Sequence, residues 1–336
     1  MPEIIKAEYR IVTPMFIGDA EQKATGISPA SIKGALRFWW RALNWGRFRK
    51  EASSDQKALQ VLHQQEGDLF GSAAEKNPRQ SRFAVRVKAD NIPAPKDDWP
   101  KSQSDSGYLG MGLWQSGKKE KGNFQAARQY LSEGINFTVE IIIHPSLSKD
   151  SVQSLKDTIV IFGLLGGLGS RTRRAFGSVA LLTLDQNSCR LDSVQCYKDA
   201  VIDVLAHYDL PDTALPYTAF SKNSVIKINP EGQSTARNAH ANLGALFKRH
   251  RGQPSGLRGP GKRVFGMPYS GGGKKEKDAR RASPLFMHIH QIKEKYHAVT
   301  TSFPAVFHYD KALEKVDYHL VSSFSDNFKE VPIHED

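Results

Sequence analysis

The sequence predicts an α+β protein of two ferredoxin-like (RRM-like, βαββαβ) domains, the second degenerate, with long basic insertions. Three observations predict it. Strand and helix patterns follow one another in the βαββαβ order over residues 1–185. Short segments of the first half reappear, in the same order, in the second. A loop rich in glycine and arginine separates the last helix of the first unit from its last strand.

Residues 3–12 form the first strand and run into TPMFIGD. The next helix opens in ISPASIKGALRFWWRAL, where Ser28 suits the N-cap and Pro29 the first helical position. Ile32, Leu36, Trp39 and Leu43 share one face, with Trp40 at its edge. Lys33, Arg37 and Arg41 make a neighbouring stripe at i, i+4, i+8. A second helix is expected at 54–66, stopping at Gly67, and RFAVRVKA (82–89) alternates as a strand. Residues 90–133, with three prolines and the cluster Lys118, Lys119, Lys121, read as an inserted mobile hairpin or loop. INFTVEIIIHP (135–145) is a strand, 151–165 a helix with Val152, Leu155, Ile159 and Phe162 inward, and GSVALLTLD a closing strand after the loop at 166–177.

The first domain therefore spans 1–185, a linker with a helix around 193–208 fills 186–222, and a divergent second domain occupies 223–336. KGALRFWWR (33–41) is echoed by LGALFKRHR (243–251), and LFGS…QSRFAVRV (69–87) by VFGMP…RRASPLFMHI (264–289). The second copy lacks a glycine-rich loop near its end.

With 336 residues, 39% of them hydrophobic, the chain can bury two cores. Its net charge of +12 points to polyanionic partners. Two cysteines, Cys189 and Cys196, fit no zinc spacing and no disulfide framework, which suggests a reducing compartment. The N-terminus does not read as a signal peptide and no apolar run is long enough for a membrane helix, so a cytoplasmic protein is expected.

The loop GGLGSRTRRAFGSV (166–179) combines permissive backbone with dense positive charge and holds no acid. A dinucleotide fingerprint would need glycine where Thr172 stands, and a helix where a strand follows. Gly256 to Lys262 has P-loop spacing, but Arg263 replaces the magnesium-binding hydroxyl. A phosphate polymer remains: Gly166, Gly167 and Gly169 would let backbone N–H groups and Ser170 approach it, while Arg171, Arg173 and Arg174 grip phosphate oxygens. The alternative is a tight helix-to-strand turn whose arginines pair with acids elsewhere. The stripe Lys33, Arg37, Arg41 lies among aromatics in a pattern that suits single-stranded nucleic acid, although Trp39 and Trp40 belong to the core. A second basic tract, 232–275, carries no acid and includes Arg258, Lys262 and Arg263. It could order on RNA or stay a basic loop.

Catalytic signals are sparse. No metal-ligand spacing and no nucleophile motif occurs, and no cofactor is expected. His288 and His290 would share one strand face, and His288 is the least bad candidate for a general base.

TPMFIGDA, ISPASIKGALRFWWR, DLFGS and FGLLGGLGSRTRRAFGSV together resemble the RAMP superfamily of CRISPR-associated proteins. LRFWWRA joined with GGLGSRTRRAFGS is most like the first subunit of type III-B (Cmr) effector complexes. The resemblance is clearest over 1–185. It implies two ferredoxin-like domains, a glycine-rich loop on RNA, and assembly with CRISPR RNA, single-stranded target RNA and other RAMP subunits. The function it implies is a non-catalytic RNA-binding structural subunit of an antiviral effector, engaging the guide RNA 3′ region and/or target RNA. The alternative is a metal-independent RAMP endoribonuclease processing CRISPR RNA, with His288 as acid or base.

Overall fold

Strand β1 (Ile4–Ile11) buries Ile5, Ala7, Tyr9 and Ile11 on one face and turns the alternate residues outward, the period-two pattern of a half-buried strand. The computed structural model describes residues 3–19, 21, 23–73, 78–89, 95, 97–113, 128–252, 259–269 and 272–334. After β1 come α1 (Pro29–Glu51), α2 (Asp55–Phe70), β2 (Phe83–Ala89), α3 (Asp105–Leu109), β3 (Asn136–Ile143), α4 (Lys149–Leu165), β4 (Val179–Leu184) and the short β5 (Asn187–Ser188). Next are α5 (Val194–Leu205), β6 (Val225–Ile228), α6 (Ala236–Gly252), α7 (Lys274–Asp278), β7 (Leu285–Ile292), β8 (Lys295–Ser302), α8 (Lys311–Glu314), α9 (His319–Ser322) and β9 (Lys329–Val331).

The protein is α+β with two antiparallel sheets. Their orders are β2-β3-β1-β4-β5 and β7-β8-β6-β9. In each, the first strand in sequence is central, the third and the fourth flank it, and the second lies at an edge. α1 follows β1 as α6 follows β6, so the echoed segments sit in equivalent helices. The FG corners also match: Gly71 and Gly266 both have positive φ (86° and 112°), and each leads into an antiparallel bridge, Ser72 with Arg79 and Met267 with Arg281. α4, with seventeen residues, connects β3 to β4, whereas β8 and β9 are joined through four-residue α8 and α9.

Several expectations need correction. α2 does not stop at Gly67 but runs to Phe70, because Gly67 leaves room for Arg79, which donates to the Gln64 carbonyl at 2.8 Å and pairs with Asp68 at 2.9 Å. The 90–133 insertion is not a loose hairpin where it is described. Its Leu109, Leu113, Tyr130 and Leu131 are buried, and Arg237 of α6 binds Glu133 at 2.6 Å and Asp97 at 2.5 Å. Lys118, Lys119 and Lys121 lie outside the described residues.

The two sheets share buried side chains. Trp39 of α1 is within 5.8 Å of the Phe286 ring, 6.2 Å of Phe220 and 6.3 Å of Phe303, all in the second half. The β7 edge meets the first sheet where the Ile289 N–H donates to Ser178 Oγ at 3.1 Å. Helix α1 thus packs on both halves with one face. Trp39→Ala is expected to lower unfolding free energy by about 3–5 kcal/mol. Denaturant titration of the unaltered chain should show one transition that fluorescence and circular dichroism report together; two separated transitions would show independently stable halves.

Candidate nucleic-acid interface

The loop between α4 and β4 closes as a pinched hairpin. The Leu168 N–H donates to the Gly177 carbonyl at 3.0 Å, and the Ser170 N–H to the Phe16 carbonyl at 2.7 Å. A short 3₁₀ turn, Thr172–Arg174, forms its tip between Arg171 and Ala175, both left-handed at φ 62°. Gly169 (φ 86°) and Gly177 (φ 62°) are required by this closure. A Cβ on Gly169 would strike the Phe16 carbonyl, and one on Gly177 the Leu168 carbonyl. Gly166, Gly167 and Gly169, expected to admit phosphate, are each demanded by the loop's own packing, since a Cβ on them would strike the carbonyls of Phe162, Gly177 and Phe16.

The arginines divide. Arg171 is exposed. Arg173 turns onto the second sheet, donates to the Ser283 carbonyl at 2.5 Å and lies 4.5 Å from the Phe286 ring centre. Arg174 lies 4.5 Å from the Phe247 ring of α6. Burial, aided by the nearby charge of Arg281, lowers Arg173 to about 10. Burial, aided chiefly by Arg251, lowers Arg174 to about 9. Two of the three arginines read as phosphate ligands thus hold the two halves together as well.

Two buried histidines clamp the loop backbone. His288 Nδ1 lies 2.9 Å from the Gly166 carbonyl, and His240 Nε2 lies 3.0 Å from the Arg174 carbonyl. A carbonyl only accepts, so each of these nitrogens carries the proton. His240 then accepts from Ser106 Oγ at 3.0 Å, and His288 Nε2 from His290 Nδ1 at 3.3 Å. Burial pushes His240 and His288 down to about 3, so both are neutral. His288 is 2% exposed, and the residue named as a candidate base serves as a backbone clamp, closed to substrate.

Open clefts lie on either side of the loop. One, about 250 Å³, is lined by Ser31, Phe38, Gly167, Gly169, Thr172 and Arg173. The other, about 220 Å³, is lined by Phe16, Asp19, Arg128 and Ser170, with Arg128 donating to Ser170 Oγ at 2.6 Å.

The structure does not bring the rest of the expected basic residues to this place as free charges. Arg37 and Arg41 both pair at 3.4 Å with Glu66, and Arg37 also donates to the carbonyls of Phe70 and Gly71, so they bind α1 to α2. Lys33 lies 5.0 Å from the Phe83 ring, and burial lowers its ammonium. Arg263 is spent on Glu276 at 2.8 Å, Lys262 is half-buried in a 3₁₀ turn, and Arg258 lies outside the described residues. Arg128 and Arg281 were not singled out from the sequence. Arg128 lies in the supposed loop insertion, and only the RR run at 280–281 signals Arg281. Among the described residues no group of three His, Cys, Asp or Glu could hold a metal, and no helix is long and apolar enough to cross a membrane.

Two antiparallel sheets with helices, joined by a glycine- and arginine-rich loop at their seam, define an α+β class of protein with a basic seam. The RAMP superfamily model matches residues 8–180, and the chain belongs to that superfamily. It is 26% identical over 317 residues to the CRISPR system Cmr subunit Cmr1-1 of Pyrococcus furiosus, covering 88% of this chain and 86% of that protein. The crystal structure of apo Cmr1 from Pyrococcus furiosus is similar in fold, with TM-score 0.64 at 21% identity over 98% of each chain. A chain of a type III-B Cmr-beta structure bound to cognate target RNA and AMPPnP, in the presence of ssDNA, has TM-score 0.60 at 12% identity, covering 97% of this chain and 99% of that one.

The clamp makes stability depend on pH. Each histidine's folded value lies below its ordinary value of about 6.5, so the unfolded chain takes up protons first as pH falls. Stability is fully present above about pH 6.5 and falls below it by about 1.4 kcal/mol per pH unit per histidine. Urea midpoints followed from about pH 7 to about pH 5 should show this loss, and His288→Gln should flatten the slope by one proton's worth. An unchanged slope in that variant would remove His288 from the account.

Proposed function

We propose that this chain is an RNA-binding, non-catalytic structural subunit of a type III-B CRISPR RNA-guided effector complex. It engages the guide RNA 3′ region, the target RNA, or both, in antiviral defence, beside other RAMP subunits in the cytoplasm. The observation that carries the reading is the exposed Arg171 at the tip of the glycine loop, with the Arg128–Ser170 pair beside it and an open cleft on either side. A basic, glycine-rich loop between open clefts suits a phosphate backbone and reads little sequence. Support comes also from the Cmr subunit of Pyrococcus furiosus, a relative across most of the chain, and from similar chains in complexes with cognate target RNA.

The same reading takes 1–185 and 223–336 as two ferredoxin-like domains joined by a helical linker at 186–222. Shared strand order and the paired FG corners support it. The crossing helix of the second unit is reduced to α8 and α9, which accounts for its divergent sequence. The endoribonuclease reading draws no support from His288, whose two nitrogens are occupied by Gly166 and His290.

Binding of the chain to labelled single-stranded RNA should weaken steeply with salt. Arg171→Ala should lower the log–log salt slope by about 0.7, the value for one lost phosphate contact on a single strand. Repeat RNA incubated with excess chelator should remain intact. Specific scission that His288→Ala abolishes would overturn the non-catalytic reading, and a salt-independent interaction would overturn the RNA-binding one.

A further inference from the structure

Four arginines gather on the second-sheet side of the loop: Arg173 and Arg174 from its tip, Arg251 on α6 and Arg281 before β7. Arg174 and Arg251 both lie over the Phe247 ring, at 4.5 Å and 5.3 Å, and Arg251 also lies 5.3 Å from Phe265. Arg173 reaches the Ser283 carbonyl, two residues along from Arg281, which lies 5.7 Å from the Phe307 ring. Comparable arginines elsewhere have carboxylates: Arg263 has Glu276 at 2.8 Å, and Arg237 has Glu133 at 2.6 Å. Among the described residues no ion pair joins Arg173, Arg174, Arg251 or Arg281 to an acid. The buried atoms Arg174 Nη1, Arg251 Nε, and Arg281 Nε and Nη2 have no hydrogen-bond partner there, while the rest of each guanidinium side chain keeps some surface open.

Ring faces stabilise a cation but leave its repulsion of a second cation uncancelled. After burial, the charge of Arg251 is the next cause that lowers Arg174, and that of Arg281 the next that lowers Arg173. An internal carboxylate would relieve this repulsion, yet residues 232–275, which include Arg251, contain none. All four arginines keep part of their surface open. Guanidinium forks match phosphate oxygens in bidentate fashion, so an external phosphate supplies the missing charge.

We propose that Arg174 with Arg251, and Arg173 with Arg281, form two adjoining phosphate seats. Each takes one phosphodiester of a single-stranded RNA, and the backbone passes from the glycine loop onto the second half of the chain. The proposal rests on the RNA-binding reading and adds to it the second half's share of the strand.

The test uses the full chain and the double variant Arg251→Met with Arg281→Met, which keeps apolar stems against the rings. Arg82→Met, far from the loop on the approach to β2, serves as the control. Anisotropy of a labelled oligouridylate across salt concentrations should show a slope lower by about 1.4 in the double variant, two contacts at about 0.7 each, and unchanged in the control. Inorganic phosphate, compared with chloride at equal ionic strength, should raise the melting temperature of the unaltered chain and not that of the double variant. RNA binding by the unaltered chain with the same slope in the double variant overturns the seats alone, as does equal stabilisation of both by phosphate. Absence of RNA binding by the unaltered chain overturns the functional reading and the seats with it. Should the double variant not fold, Arg251→Met and Arg281→Met are measured singly, each expected to lower the slope by about 0.7, and no change in either overturns the proposal.

Discussion

A strongly positive loop has to be anchored by groups that add no charge of their own, and two neutral histidines meet that constraint. His288 takes the carbonyl where the loop leaves α4, and His240 takes the carbonyl at the end of its tip. Lysines or arginines in these places would add to the repulsion among Arg171, Arg173 and Arg174. Carboxylates would neutralise it and also repel the backbone carbonyls. Imidazole donates one hydrogen bond while uncharged, and burial keeps it so. The loop's positive field is preserved because its scaffold is silent electrostatically.

Much of the fold was legible because its signals are local. Ser28 and Pro29 opened α1 where they should, and the side chain of Ser28 accepts from the Ser31 N–H at 3.1 Å. Alternation placed β1, β2 and β3, and the FG echo marked a real pair of corners. The site was less legible, because its chemistry depends on partners far away in sequence. The stripe Lys33, Arg37, Arg41 looks free until Glu66, on the next helix, takes two of its members. Arg173 and Arg174 look like loop ligands until Phe286 and Phe247, more than seventy residues on, come beneath them. Helical periodicity reports which face a residue occupies but not who waits opposite. Outside α3, the insertion has the irregular backbone its prolines announce where it is described, while its docking depends on Arg237, which the sequence does not pair with it.

The positive charges fall into two groups with different work. Arg37, Arg41, Arg79, Arg237 and Arg263 are matched by carboxylates and hold elements together. Arg173 and Arg174 of the loop, with Arg251 on α6 and Arg281 before β7, rest on aromatic faces instead. Stacking replaces solvent for a guanidinium without cancelling its charge. A net charge of +12 therefore understates how unevenly positive potential is spread, since it concentrates where acids are missing from the chain.

Trp39 carries a consequence for how the chain is made. It leaves the ribosome well before three of the rings that enclose it, Phe220, Phe286 and Phe303, which lie 181 to 264 residues further along the chain. The first sheet can pair its own strands as soon as β4 emerges, but one face of α1 stays uncovered until β8 is complete. For that interval the nascent chain presents an indole and a phenyl ring, Phe38, to the surrounding solution. Translation speed over residues 186–303 sets how long that apolar face is open to chaperones or to misassembly with a neighbouring nascent chain.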